Sequence, residues 1–223
     1  MGSSVYVINP NSSQTVTAAI DRAVAPLRSV DGPSIVCLSL AEGPPGIQSQ
    51  RDVDGVIMPM LRRASELEES AGAFVIACFS DPGLHALREQ SRRRAFGIAE
   101  CGVLTALTLG QRFGIIAILP TSVPRHLRYL GAMGVMDRFA ADLPIGLGVA
   151  ELSDEARTMS RMVEVGRTLK DAHGADVLVM GCAGMARYRS TLEEAVGIPV
   201  VEPTQAAVAM AVGHVRLAQA QTP

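Results

Sequence analysis

Tryptophan is absent from this 223-residue sequence and aromatic side chains make up only 4% of it, so its core must be mainly aliphatic. Lysine occurs once, at Lys170 in a predicted exposed helix, which leaves no good candidate for a Schiff-base lysine. No apolar stretch reaches the ~18 residues that a membrane-spanning helix needs. The 20 basic residues are balanced by 22 acidic ones, so there is no basic footprint for nucleic acid. We therefore expect neither a membrane nor a nucleic-acid partner.

Signals for export and for metal binding are missing too. The first residues lack a basic segment followed by a long apolar one, so we expect no signal peptide and a cytoplasmic protein with reduced thiols. The cysteines at positions 37, 78, 101 and 182 form no zinc-binding pattern and no CxxC redox pair. The four histidines share no ligand spacing. We expect no metal and no cofactor.

Short apolar runs alternate with amphipathic helical patterns from end to end of the chain. This alternation predicts βαβ units and a mostly parallel sheet. We expect helices between strands near residues 5–8, 34–40, 73–77, 96–98, 113–119, 176–180 and 198–201. The pattern over 53–67 predicts one helix that Pro59 either kinks or begins, whereas residues 137–152 fit no element.

Two segments of the sequence echo each other. Residues 70–78 and 172–182 each run from a helix end through a glycine and a short apolar strand to a cysteine. We expect an α/β fold of two pseudo-symmetric lobes, each a mostly parallel sheet flanked by helices, with the active-site cleft between them. The first lobe would comprise residues 1–98, with the C-terminal helix 205–223 packing back on it. The second lobe would comprise residues 99–204.

Cys78 and Cys182 are the strongest candidates for chemistry. Each follows a predicted strand, and ligands in open α/β sheets bind beyond the carboxyl ends of the strands. Backbone N–H groups at a helix N-terminus would lower the pKa of each thiol and favour the thiolate. One cysteine from each lobe would place two sulfurs on opposite sides of a small molecule. Cys37, within an apolar strand, and Cys101, early in an Ala/Leu-rich helix, are more typical of core packing.

Two acidic residues compete for the role of base. Asp81 and Glu202 both follow predicted strands, but each also precedes a proline. That position is typical of a helix cap or turn for Asp81 and of a strand end for Glu202. Both readings stay open from the sequence.

Three segments in register resemble the Asp/Glu/hydantoin racemase superfamily, and most of all its hydantoin and allantoin racemase branch. They are residues 8–13 (INPNSS), 77–84 (ACFSDPGL) and 180–185 (MGCAGM), and the similarity continues through 197–203 (GIPVVEP). The resemblance implies a cofactor-independent enzyme of two pseudo-symmetric lobes with catalytic cysteines at Cys78 and Cys182. It also implies a small-molecule substrate and a homo-oligomer. Amino-acid racemases of the superfamily usually carry Cys-Asn-Thr and Cys-Thr-His at these cysteines, and this chain does not.

The resemblance fits the chemistry of the residues. Racemisation removes a proton beside a carbonyl and returns one on the other face, which two thiols can do if one is ionised. Hydrogen-bond donors near the cysteines would stabilise the negative oxygen of the planar intermediate. The residues expected to bind substrate are Asn11, Phe79, Ser80, Asp81, Thr121, Ala183 and Gly184. We expect residues 42–46 and 137–152 to form the pocket wall.

The leading hypothesis is a racemase of 5-substituted hydantoins, allantoin among them. One alternative is a racemase of aspartate, glutamate or another small acid. Another is a maleate cis–trans isomerase in which the first cysteine adds to the alkene as a nucleophile. The non-enzyme alternative is a small-ligand sensor that kept the cleft without turnover.

Overall fold

A computed structural model describes residues 4–220 of the chain and shows eight strands in two sheets within that range. The first sheet contains β1 (Ser4–Asn9), β2 (Ser34–Ser39), β3 (Ala71–Ile76) and β4 (Arg94–Gly97). The second contains β5 (Phe113–Ala117), β6 (Phe139–Pro144), β7 (Val177–Met180) and β8 (Val200–Val201).

The two sheets have the same topology. The strand order is β2-β1-β3-β4 in the first sheet and β6-β5-β7-β8 in the second, and every neighbouring pair is parallel. Strand β3 therefore corresponds to β7, the two strands that precede Cys78 and Cys182. The predicted α/β fold of two pseudo-symmetric parallel sheets flanked by helices is confirmed.

Nine α-helices in the described range connect the strands. They are α1 (Gln14–Val24), α2 (Gln50–Gly55), α3 (Ile57–Leu67), α4 (Leu84–Gln90), α5 (Ile98–Leu109), α6 (Val123–Met133), α7 (Glu155–Asp171), α8 (Arg189–Val196) and α9 (Pro203–Ala220). Five 3-10 turns, at Ala25–Leu27, Pro120–Ser122, Met136–Arg138, Val149–Ser153 and Ala183–Tyr188, join some of them to their neighbours. None of the helices in residues 4–220 is long and apolar enough to cross a bilayer.

The largest core cluster lies between the two sheets. Strand residues alternate in direction, so Val5 and Val7 of β1 face this central core whereas Ile8 faces the opposite side. Helices α5 and α9 fill the centre and pack against each other, which buries apolar residues such as Val103 and Val208 completely. Helices α3 and α4 cover the outer face of the first sheet, and α7 and α8 cover that of the second.

Two local expectations are resolved by the structure. The pattern over 53–67 forms two helices that meet at Val56 rather than one. Pro59 is the third residue of α3, where its missing N–H has no intrahelical partner to lose. The segment 137–152 holds edge strand β6, most of whose residues are only partly buried, so its hydrophobic pattern is weak.

Helix α9 packs on β3, β4 and α1 as well as on α5. The last three residues of the helix expected over 205–223, and the first three residues of the lobe expected over 1–98, lie outside the described residues. The lobe boundary at residue 98 stays a prediction.

We predict that the α5–α9 contact is sensitive to one methyl group. A Cβ added at Gly102 of α5 would lie 2.8 Å from the Cβ of Pro203 and 3.3 Å from its Cα, which belongs to the backbone. Replacing Gly102 by Ala is expected to lower the free energy of unfolding by about 1–3 kcal/mol through overpacking. Urea unfolding measures this change.

Gly131 provides the matched control because it lies in α6 with nothing within 4 Å of the added Cβ. Gly131→Ala should raise the free energy of unfolding by about 0.5–1 kcal/mol, the usual gain at an open helical site. If the Gly102 variant is as stable as the Gly131 variant, the α5–α9 packing described above is wrong.

Candidate active site

Cys78 and Cys182 line one cavity between the carboxyl ends of the two sheets. Its other lining residues come from both halves of the chain and are Asn11, Val16, Ile47, Ala77, Phe79, Ser80, Ile118, Ser122, Arg125, His126, Val149, Gly181, Ala183 and Gly184. The cavity volume is about 40 Å³. That is room for about three water molecules by the same measure.

The loop after β3 positions Cys78. The N–H of Asp81 donates to the Cys78 carbonyl at 2.9 Å and closes a tight turn. Phe79 is buried, whereas Cys78 and Ser80 remain partly exposed toward the cavity. The turn therefore presents the thiol and the hydroxyl to the same space.

Gly181 allows β7 to bring Cys182 to the equivalent place. A Cβ at Gly181 would lie 2.6 Å from the carbonyl oxygen of Ile116 on β5, so only glycine fits without a backbone shift. Cys182 then begins the 3-10 turn Ala183–Tyr188, and the N–H of Gly184 donates to its Sγ at 3.4 Å.

Burial dominates the electrostatics of both thiols. It raises the pKa of Cys78 to about 12, although the Ser80 N–H and the Arg125 guanidinium act to lower it. Burial likewise raises the pKa of Cys182 to about 11 against the lowering effect of the Gly184 N–H. The expectation that helix N-termini give low-pKa thiols is wrong for this structure, because one N–H at each sulfur does not replace the lost hydration.

Asn11 is held at the cavity by a buried polar network. Its side-chain oxygen accepts from the Asn9 amide and from the Ser13 N–H, each at 2.9 Å. The Asn9 amide also donates to Thr17. The Asn11 Nδ2 group has no hydrogen-bond partner within residues 4–220, so it is free to donate into the cavity.

Of the seven residues expected to bind substrate, five line the cavity: Asn11, Phe79, Ser80, Ala183 and Gly184. Thr121 does not, because its side chain is exposed and donates to the Gln48 carbonyl at 3.3 Å. The following residue, Ser122, is buried and lines the cavity instead.

Asp81 does not reach the cysteine cavity either. Its carboxylate accepts from the N–H groups of Ala99 and Glu100 at 3.0 and 2.9 Å and from the Tyr129 hydroxyl at 2.6 Å. Asp81 therefore caps helix α5, which supports the helix-cap reading, and burial raises its pKa to about 6.

Glu202 plays the corresponding part at α9. Its two carboxylate oxygens accept from the N–H groups of Thr204 and Gln205 at 3.0 and 2.7 Å. Burial raises its pKa. Both acidic candidates thus serve helix N-termini, and neither lines the cavity.

Sequence reasoning missed two polar residues of α6 that line the cavity. Arg125 is half-buried, bonds the Thr121 carbonyl at 2.8 Å and leaves its Nε buried without a partner within the described residues. His126 is buried, and its Nδ1 lies 2.6 Å from Asp142 Oδ2. Their position on the helix after β5, beyond the same sheet edge as the cysteines, was the available signal.

The other two cysteines lie elsewhere. Cys37 is partly exposed on edge strand β2, and Cys101 is buried within α5. Burial raises the pKa of each thiol to about 12. Within residues 4–220 no group of three or more His, Cys, Asp or Glu side chains is arranged to hold a metal ion.

Comparison with known proteins agrees with the resemblance seen in the sequence. The model of the Asp/Glu/hydantoin racemase family matches residues 5–211. The hydantoin racemase of Rhizobium meliloti is 33% identical over 222 residues, covering 93% of this chain and 86% of that protein. The hydantoin racemase of Pseudomonas sp. strain NS671 is 32% identical over 212 residues, covering 93% and 84%.

Among solved structures, the allantoin racemase from Klebsiella pneumoniae superposes with a TM-score of 0.90 at 30% identity, covering 97% of this chain and 89% of that one. The match thus extends over both sheets and the cavity between them. Because the family model and these relatives cover nearly the whole chain, the chain belongs to the Asp/Glu/hydantoin racemase family.

Proposed function

We propose that the chain racemises 5-substituted hydantoins, allantoin among them, by proton transfer at C5 between Cys78 and Cys182. The observation that carries the proposal is that one cysteine from each sheet, at equivalent strand ends, lines a single small cavity. Two groups that approach one carbon from different sheets are what a two-base racemisation requires.

In the proposed reaction one thiolate takes the C5 proton, and the opposite thiol gives its own proton to the other face. The electron pair left on carbon moves onto the neighbouring carbonyl oxygen. A donor that faces the cavity, such as Asn11 Nδ2, is suited to stabilise this oxygen. After each turnover the two cysteines have exchanged protonation states.

The composition of the cavity wall favours an uncharged ring over an α-amino acid. Among the described residues that line the cavity there is no Asp or Glu. The ammonium group of aspartate or glutamate would therefore lose its hydration without a carboxylate partner, which is costly in a buried site. A hydantoin carries no ammonium group and delocalises the developing charge over its own ring.

An adjacent cavity is suited to hold the 5-substituent. It has a volume of about 550 Å³ and shares Val16, Val149 and Gly184 with the cysteine cavity. Its wall includes Pro45, Val149, Ala150 and Leu152, which lie in the two segments expected to form the pocket wall, and Ser153 just beyond them. A mostly apolar lining favours bulky or extended substituents.

Single cysteine variants test the two-base mechanism. We expect Cys78→Ala and Cys182→Ala each to lower racemisation by about 10³-fold or more, because the residues act as a unit. Each variant keeps one thiol, so each should exchange the C5 hydrogen for solvent deuterium on one enantiomer only, and the two should choose opposite enantiomers. NMR of separated hydantoin enantiomers in deuterium oxide measures this exchange.

Cys37→Ala is the matched control, since Cys37 is a partly exposed thiol away from the cavity, and it should racemise and exchange like the wild type. Should both site variants exchange the same enantiomer, the opposed-cysteine mechanism is wrong. A wild-type protein that binds hydantoins without incorporating deuterium would instead be a sensor.

Thiol alkylation tests the electrostatics of the free site. Because burial raises both pKa values, each cysteine is a neutral thiol near pH 7 and becomes the reactive thiolate only as the pH rises. The rate of iodoacetamide modification should increase about tenfold per pH unit from 7 to 10 without a plateau.

Peptide mapping over a pH series gives the two rates separately. A plateau below pH 9 at either cysteine would show a resting thiolate and contradict the buried-thiol description. The Cys37→Ala protein removes the partly exposed thiol outside the cavity and leaves the two site cysteines with the buried Cys101.

A further inference from the structure

His126 and Asp142 form a buried pair that the proton transfer described above does not use. The His126 ring on α6 is only 4% exposed, and the Asp142 side chain on β6 is fully buried. Nδ1 of the ring lies 2.6 Å from Asp142 Oδ2. Burying a charged pair costs several kcal/mol per ion, so a gain in folding stability does not explain why this pair is buried. A functional role is the alternative explanation.

The ring also borders the cysteine cavity. It packs edge-to-face against Phe79, the residue after Cys78, with ring centroids 5.1 Å apart. Since Nδ1 is directed to Asp142, the second ring nitrogen, Nε2, is the polar atom available to a ligand, and it has no hydrogen-bond partner within residues 4–220.

The surroundings of Asp142 favour an electrically neutral pair with His126. Its second oxygen, Oδ1, is buried and has no hydrogen-bond partner among the described residues. A pair holding only the shared proton would carry a net negative charge on this poorly bonded carboxylate. A pair with a second proton on Nε2 is neutral overall, which a buried site favours. Nε2 is then a donor.

We propose that His126, held by Asp142, donates a hydrogen bond from Nε2 to the carbonyl oxygen next to the reacting carbon of the substrate. This inference rests on the proposed racemase function and names the group that stabilises its intermediate. No proton leaves the ring in the step, because the C5 proton passes to a cysteine and the charge that develops on oxygen is met by the existing Nε2–H.

Two substitutions separate the two edges of the ring. His126→Asn keeps a donor near the Nδ1 position, toward Asp142, and removes the Nε2 donor. His126→Gln extends its amide toward the Nε2 position and gives up the contact with Asp142. We expect the Asn variant to lower the deuterium-exchange rate by about 10²–10³-fold with little change in KM, since an oxyanion contact acts in the transition state. The Gln variant should exchange deuterium at least tenfold faster than the Asn variant. It should nevertheless unfold at a lower temperature, because it gives up the contact with Asp142.

Alkylation supplies the readout that distinguishes the carbonyl from the thiols. Iodoacetamide needs a thiolate and no carbonyl activation, so its rates at Cys78 and Cys182 should be within about twofold of wild type in both variants. His85→Asn is the matched control, because His85 is an exposed histidine on α4, and it should leave exchange and alkylation unchanged.

The wild-type protein is first assayed with hydantoins and with the other carbon acids of its family, and the variants are compared on whichever it exchanges. If none is exchanged, the racemase proposal fails and this inference fails with it. If the wild type exchanges and His126→Asn is within threefold of it, the inference alone is overturned. A parallel fall in alkylation would mean that His126 acts on the thiols, and a Gln variant less active than the Asn variant would also overturn the inference.

Asp142→Asn completes the test as a positioning residue. If Asp142 acts only by orienting His126, its substitution should slow exchange in the wild-type background and have no additional effect in the His126→Asn background. Additive losses in the double variant would assign Asp142 a separate role and contradict the proposed pair.

Discussion

The buried carboxylate of Asp81 connects three elements around the candidate site. It belongs to the Cys78 turn, caps the N-terminus of α5 through two N–H groups, and accepts from Tyr129 on α6. Helix α6 also carries His126, so one buried carboxylate links the first cysteine loop to a helix whose side chains line the cavity. Because Asp81 is buried, an unmatched donor or acceptor here would cost about 1–3 kcal/mol. The shape of the Cys78 turn is therefore fixed by helix capping rather than by contact with substrate.

A second constraint is the burial of the two thiols at the cavity. The walls that bury Cys78 and Cys182 raise the pKa of both thiols, whereas the proposed proton transfer needs one of them as a thiolate. The Arg125 guanidinium in the cavity wall acts to lower the pKa of Cys78 and so offsets part of the effect of burial. Its buried Nε has no hydrogen-bond partner in the described chain. The proposed mechanism therefore requires that one thiol ionises when the substrate arrives.

Most of the fold could be predicted from the sequence because the central strands are continuous apolar runs, which tertiary context rarely overrides. Cys78 and Cys182 could be found because they follow such strands. Edge strand β6 could not be predicted, because most of its residues are only partly buried and its hydrophobic pattern is weak. Asp142 lies on this strand, so the sequence did not indicate it as a site residue. The sequence predicts Thr121 at the cavity, whereas the structure places Ser122 there. The 3-10 turn after β5 moves the inward-facing position on by one residue, and the hydrophobic periodicity of the sequence does not show this turn.

The two halves repeat a strand order without repeating the side chains around the cysteines. Arg125 and His126 line the cavity from helix α6. The charge of Glu202, by contrast, raises the pKa of Cys182. Enantiomers have equal free energies in water, so a racemase must have equal kcat/KM for the two directions whatever its asymmetry. Unequal surroundings at Cys78 and Cys182 can then make kcat differ between the two enantiomers only by the factor by which KM differs between them. In the proposed racemase, an electrostatic difference between the halves can therefore change kcat and KM for one enantiomer relative to the other, while the net direction of the reaction depends on the concentrations in solution.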